Sequence, residues 1–316
     1  MSLTERTRVP KSDVGTEESG PAPSVAPAAS PTTAASVGPA SSGVRRSALT
    51  GIGLGDWLAV GFLAVVAISI AAPWIIAPGD PLGASPGNTL LPPSLQHPFG
   101  TDYLGRDLYT RVVHGAGRTL FGSLIAVVIG LGVGSLLGLV AAYFGRGTDL
   151  IVSRIVDVLL SIPGLLLSMV VVVALGFGSI NAAIAVGVAS VATFARLMRS
   201  EVLRVRSLGF VESAHHLGAS PGRVLLHHVL PNSYGPVVSM TAMQFGSSIL
   251  WIAALSFLGY GAPPPLPEWG LLVAEGREYI SSSPWLVLFP GAVVALTVVS
   301  ISRVSGLIGT TRSVNR

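Results

Sequence analysis

The chain has no cysteine in 316 residues. That absence excludes disulfides, thiolate zinc sites, cysteine-ligated iron–sulfur clusters and cysteine nucleophiles in one step, and leaves the compartment open. Charge is scarce as well: 11% of residues are Asp, Glu, Lys or Arg, against 50% that are hydrophobic, and the mean hydropathy is strongly positive. A water-soluble domain carries about a quarter charged residues. The balance here is that of a chain dissolved mainly in lipid. The formal net charge of +4 is small and unevenly placed.

Large apolar side chains are nearly missing from residues 1–50, where "GPAPSVAPAASPTTAASVGPASSG" is built from Ala, Pro, Ser, Thr and Gly. Such a segment cannot bury enough surface to offset the entropy of ordering, so it reads as a disordered tail. A signal peptide needs an apolar stretch near residues 10–25, and the first one starts only at Trp57.

After the tail comes a series of uncharged runs, each near the ~20 residues that cross a bilayer as a helix. They are Trp57 to Pro78, Thr119 to Phe144, Val158 to Ala195, a stretch within Val237 to Leu258, and Pro284 to Ser302. The third is about 57 Å long as one helix, too long for one crossing. Its break belongs at "GFGSIN", Gly176 to Asn181, so six spans are expected. Pro73, Pro163 and Pro290 fall inside spans and predict kinks. With the N-terminus inside, 14 of the 19 Lys and Arg residues fall on the cytoplasmic side. Arg106, Arg111, Arg118 and Arg277 fall outside, Arg154 sits at the inner end of span three, and both termini are therefore expected in the cytoplasm.

The spans hold few polar groups. Gly130, Gly134 and Gly138 repeat every four residues and line one face of span two, which favours close helix packing over a pore. Asp157 starts span three one turn after Arg154, and a local ion pair is the favoured account of it. The outer connector "HPFGTDYLGRDLYTRVVHGAGRTL", His97 to Leu120, reads as a solvated helix. Thr101 or Asp102 caps it, Asp102–Arg106 and Asp107–Arg111 are spaced by four, and Gly115 stops it. "APPPLPEWG", Ala262 to Gly270, is too rich in proline for a helix and reads as a stiff outer loop, with Trp269 and Trp285 at interfacial depth.

One stretch invites several chemistries: "VESAHHLGASPGRVLLHHVLPN", Val211 to Asn232. Adjacent histidines on a helix point about 100° apart, so neither pair chelates one ion, and no metal site is expected. A hydrolase elbow at Gly218-Ala219-Ser220-Pro221-Gly222 fails because Pro221 has no N–H for an oxyanion hole. A DNA-reading helix-turn-helix needs a soluble core that ~35 tethered residues cannot supply, so no nucleic acid is expected. A cytoplasmic helical hairpin remains. Glu212 sits in the first turn of helix one, Gly218 ends it in the left-handed conformation, Ser220 and Pro221 open helix two, and Pro231 ends that.

Glu212-Ser213-Ala214, Gly218 and Leu230-Pro231-Asn232 resemble the Glu-Ala-Ala loop of ABC importer permeases. The His97–Leu120 connector, "RIVDVLLSIPGLLL" and "LSFLGYGAPPPLPEWGLLVAEGREYI" resemble more narrowly the C-type permease subunit of the dipeptide, oligopeptide and nickel importers, over about residues 55–300. The resemblance implies an all-α integral membrane protein with six transmembrane helices, the type I importer permease fold and a cytoplasmic coupling helix, in a plasma (inner) membrane. It implies that Glu212, Ser213, Ala214, Gly218, Ala219 and Pro231 contact an ATPase. Gly100, Thr101, Asp102, Gly105, Arg106 and Asp107 form an external motif. Gly130, Gly134, Gly138, Asp157 and Ser256 serve packing or the translocation path.

The implied partners are a sister permease in a heterodimer, two ATPase subunits that use ATP and Mg, an extracytoplasmic substrate-binding protein, and lipid. This chain is expected to hold no cofactor and to catalyse nothing. "GIGLG", Gly51 to Gly55, is not a phosphate loop, since no Gly-Lys-Ser/Thr comes after it. Ser213 replaces the family's first loop alanine, Ile252 stands where relatives often have Glu, and the usual C-terminal ending is missing. The alternative, a secondary transporter or channel working without ATPases, calls for mid-membrane carboxylates or a duplicated half, and the span interiors show neither.

Overall fold

A computed structural model of the chain describes residues 53–314, without the side chains of Arg146, His215 and residues 307–314. The tail expected over residues 1–50 lies outside the described residues. Among the described residues, eleven α-helices succeed one another: α1 (Leu54–Ala71), α2 (Pro73–Ile76), α3 (Leu108–Phe144), α4 (Arg146–Ser161), α5 (Gly164–Leu175), α6 (Ser179–Arg206), α7 (Gly209–His216), α8 (Pro221–Val224), α9 (Leu230–Phe257), α10 (Trp269–Gly276) and α11 (Trp285–Val314). The same residues contain no strand. Five helical stretches are long and apolar enough to cross a bilayer, and the bent pair α4–α5 brings the total to six when taken as one broken span.

Proline and glycine punctuate the spans because one lacks a donor and the other tolerates φ values that side chains forbid. Pro73 separates α1 from α2, and Pro163 separates α4 from α5 with a bend of 98°. The turn expected at "GFGSIN" is made by Gly176 at φ +95° and Gly178 at φ +139°, between α5 and α6. Pro290 lies inside α11, which continues through it.

The centre of the bundle is α3 against α6, with α9 packed on both; α1, α10 and α11 gather on one side and α4 and α5 on the other. Small residues set that centre. A Cβ on Gly134 would lie 2.5 Å from the Val191 carbonyl oxygen, and one on Gly138 would meet the Ala195 carbonyl oxygen and lie 2.9 Å from the Arg199 nitrogen. Gly130 faces Ser190 Cβ at 2.8 Å in the same sense. The stripe lets two backbones touch, which in lipid replaces hydrophobic sequestration as the source of helix adhesion. Ile252 is buried among Ala126, Val172, Ala183 and Leu255, and extends this apolar centre. A polar contact that the sequence did not announce crosses it: Gln244 Nε2 donates to Ser190 Oγ at 2.8 Å, joining α9 to α6.

Two helix boundaries differ from expectation. The connector helix does not begin at Thr101 or stop at Gly115. Asp107 is its N-cap, accepting from the Thr110 N–H at 2.8 Å, and α3 then runs unbroken for 37 residues into span two. Gly115 stays helical because its open side receives the Trp269 ring and the Pro267–Glu268 backbone. Nor does Pro231 end the second hairpin helix. Leu225–Val229 forms a π-helical turn that merges α8 into α9, giving one continuous element from Pro221 to Phe257. A widened turn is a physical way to seat a proline ring against the carbonyl of the preceding turn without breaking the helix.

Candidate functional site

Chemistry-bearing side chains gather at the two opposite ends of the bundle. At the connector end, residues 97–107 fold as a compact loop. Leu91 N–H donates to Thr101 Oγ1 at 2.8 Å, Thr101 Oγ1 donates to the Asn88 carbonyl at 2.5 Å, and the Thr101 N–H donates to the Leu91 carbonyl. Gly100 at φ +77° and Gly105 at φ +75° are required by geometry. A Cβ would lie 2.5 Å from the Leu91 carbonyl oxygen at the first and clash with the Ser85 carbonyl oxygen at the second.

The loop encloses a charged cluster. Asp102 Oδ1 accepts from the backbone N–H of Leu104 and of Arg106, and its Oδ2 accepts from Arg106 Nε at 2.6 Å and Arg111 Nη1 at 2.8 Å. Arg111 Nη1 also reaches Glu275 Oε2 on α10 at 2.7 Å, and Arg106 Nη2 lies 3.6 Å from the same oxygen. Asp102, Arg106 and Arg111 are buried. The solvated helix expected here is therefore corrected: two guanidinium groups and two carboxylates neutralise one another inside the protein, where unpaired charge is costly. The Asp107–Arg111 pair is absent, since Asp107 is held by its capping bonds and by His97 Nδ1 at 2.9 Å. Burial, with Glu275 nearby, pushes the Tyr103 phenol above its ordinary value.

A second buried carboxylate was missed by sequence reasoning. Glu268 accepts from Ser256 Oγ at 2.5 Å, Ser179 Oγ at 3.0 Å and the Ala262 N–H at 3.1 Å, so one side chain ties the end of α9 to the start of α6 and to the proline loop. Ser256 thus belongs to this junction. Trp269 is fully buried, with its indole N–H on the Val112 carbonyl at 2.9 Å. Glu268-Trp269 after a proline run was the available signal, since a charged and a large aromatic residue come directly after a segment that cannot be helical.

At the opposite end the hairpin hangs between α6 and α9. Val211 on α7, Val224 and Val229 are buried against Phe194, Met198, Val202 and Val205, with Ala214 and Ala219 packed on the same cluster. Glu212, Ser213, Gly218 and Pro231 are exposed, and so is Leu217, at 88%. Gly218 ends α7 at φ +82° with no described atom within 4 Å of its missing Cβ, so its role is conformational. Ser220 precedes Pro221 at N1 with extended backbone, although its hydroxyl makes no capping bond. Arg206, ending α6, donates to the Ala142 and Tyr143 carbonyls at the end of α3, a cation placed where a helix terminus leaves carbonyls unpaired.

Asp157 pairs with Arg196 of α6 at 2.8 Å, not with Arg154, because the 98° bend at Pro163 brings α4 alongside α6. Asp149 meets Arg199 in the same way at 2.5 Å.

A family model described as binding-protein-dependent transport system inner membrane component matches residues 134–311. The dipeptide transport system permease protein DppC of Alkalihalophilus pseudofirmus is 41% identical over 239 residues, spanning 76% of this chain and 78% of the relative. The probable D,D-dipeptide transport system permease protein DdpC of Escherichia coli is 39% identical, spanning 77% and 82%. The glutathione transport system permease protein GsiD of Pectobacterium atrosepticum is 40% identical, spanning 66% and 70%. Among solved structures, the MetNI methionine ABC transporter in an inward-facing conformation matches with a TM-score of 0.55 at 21% identity, over 66% of this chain and 98% of that one. At that identity the likeness speaks for the fold alone, the type I permease fold. Identity near 40% over most of both sequences speaks for descent, and this multi-pass membrane protein belongs to the family of binding-protein-dependent transport system inner membrane components, the permease subunits of ABC importers.

Proposed function

We propose that the chain carries di- or oligopeptides across the plasma membrane as half of a heterodimeric translocation path. A sister permease supplies the other half, two cytoplasmic ATPases that use ATP and Mg drive it, and an extracytoplasmic binding protein delivers substrate. The chain itself catalyses no reaction. The peptide class rests on the names of the relatives, two of which are dipeptide permeases. The hairpin end faces the cytoplasm together with both termini, a reading that the distribution of Lys and Arg supports.

The observation that carries the mechanism is the construction of the hairpin. α7 presents Glu212 and Ser213 outward, with Leu217 directly after it, while Val211 anchors it inward. An apolar side chain as exposed as Leu217, beside small residues and a carboxylate, suits a groove on a partner. Glu212 supplies polar contact at the helix start, Ser213, Ala214 and Ala219 permit close approach, Gly218 sets the exit angle, and Pro231 lies exposed where the hairpin joins α9. Closure of the ATPase dimer displaces α7, and the continuous Pro221–Phe257 element conveys that displacement to the Ser256–Glu268 junction at the outer face. This is rigid-body alternating access.

Gly218→Arg tests the reading. In vesicles containing the reconstituted complex, the variant is expected in the membrane with its ATP-driven uptake abolished. Uptake at the wild-type rate overturns the coupling assignment.

A further inference from the structure

Of the four arginines on the outer face, three have partners. Arg106 and Arg111 share the Asp102 and Glu275 carboxylates, and the Arg277 guanidinium lies over the Phe257 ring at 5.6 Å from its centroid. Arg118 has no hydrogen-bond or ion-pair partner among the described residues and is exposed. It lies eleven residues along α3 from the Asp107 cap, about 16 Å deeper at 1.5 Å per residue. The next residue, Thr119, accepts the Trp269 N–H at 3.2 Å, so Arg118 is level with the base of the proline loop.

An open pocket of about 430 Å³ lies in front of it, lined by Arg118, Phe177, Ile180, Asn181, Pro263 and Leu266. The other side-chain donors here are already engaged. Asn181 Nδ2 donates to the Leu175 and Gly176 carbonyls, and Ser179 Oγ donates to Glu268. Glu268, the carboxylate at this level, takes Ser256, Ser179 and the Ala262 N–H, and forms no ion pair with Arg118. The pocket therefore offers one uncommitted guanidinium within apolar walls. An exposed arginine beside membrane-spanning helices, without a counter-charge among the described residues, is poised for an anionic ligand, and a guanidinium fork fits a carboxylate in bidentate fashion.

We infer that Arg118 and this pocket form an outer subsite that takes the C-terminal carboxylate of a peptide as it leaves the binding protein, with the apolar walls receiving the terminal side chain. The inference rests on the peptide reading above.

The test uses the complete complex in proteoliposomes with its binding protein and radiolabelled alanyl-phenylalanine as probe. Arg118→Gln is expected to lower uptake about tenfold or more, and Arg118→Lys, which keeps the charge but loses the fork, to fall between. Subunit assembly and the affinity of the complex for the binding protein are expected to stay at wild-type values. Wild-type uptake by Arg118→Gln overturns the subsite alone. Loss of uptake accompanied by weaker assembly or weaker binding-protein docking also overturns it, because the partner of Arg118 is then a protein carboxylate. A wild-type complex that transports no di- or tripeptide overturns the peptide reading and the subsite with it.

Discussion

Arg111 and Glu275 are 164 positions apart in the chain and meet at 2.7 Å between Nη1 and Oε2. The contact joins the first turn of α3 to α10, a short helix held between two other spans. Through Asp102 it also fixes the connector loop on the same frame.

Removing one partner of this buried group leaves the rest uncompensated. Glu275→Gln is expected to destabilise the protein by about 3–5 kcal/mol, seen as a lower thermal midpoint in detergent. The double variant Arg111→Met/Glu275→Gln is expected to lose less than the sum of the single changes. Strict additivity excludes the coupling.

The glycines of α3 differ sharply in what surrounds them. Gly134→Ala forces a methyl group against the Val191 carbonyl and is expected to cost about 1–3 kcal/mol. Gly117 has nothing within 4 Å of a Cβ, so Gly117→Ala is expected to be neutral or to stabilise by up to about 1 kcal/mol. Thermal unfolding of the two variants side by side decides it, and equal midpoints contradict close packing of α3 on α6.

Asp157 and Arg196 are more than half exposed, at 54% and 60% of their side chains. Asp157→Asn is therefore expected to change stability by less than about 1 kcal/mol. A large loss shows that the pair is buried against another chain in the assembled complex.

Gly218→Ala tests backbone conformation without bulk, since φ is +82° and no described atom lies within 4 Å of the added Cβ. The left-handed penalty of about 1 kcal/mol is expected to weaken ATPase binding about fivefold. Gly218→Asn, which tolerates that conformation better, retains more. Affinity of the reconstituted permease for the ATPase subunits is the measurement, and equal affinities for all three remove the conformational role.

The hairpin was legible because its signals are local. Glu212 in a first turn, Gly218 at positive φ and Pro221 at N1 each express a preference of one residue and its immediate neighbours. The connector was misread for the same reason. Asp102 does meet Arg106, but Asp107–Arg111 has the same spacing and does not form, since Asp107 caps α3 and Arg111 turns to Asp102 and Glu275. Spacing pairs Asp157 with Arg154, whereas the bend at Pro163 brings Arg196 to it. The π-helical turn before Pro231 has no signature in residue types that distinguishes it from a helix end.

The sequence by itself determined that this chain dissolves in lipid, where its spans lie, and where a short helix turns back between two of them. Those outcomes come from the length of apolar runs and the φ preferences of glycine and proline, which act over a few residues. Only the tertiary structure decided which acid neutralises which base, which helix lies against Gly130, Gly134 and Gly138, and that Arg118 is left without a counter-charge among the described residues. Such outcomes depend on the crossing of helices far apart in sequence, and a buried charge takes whichever partner that crossing brings within about 3 Å.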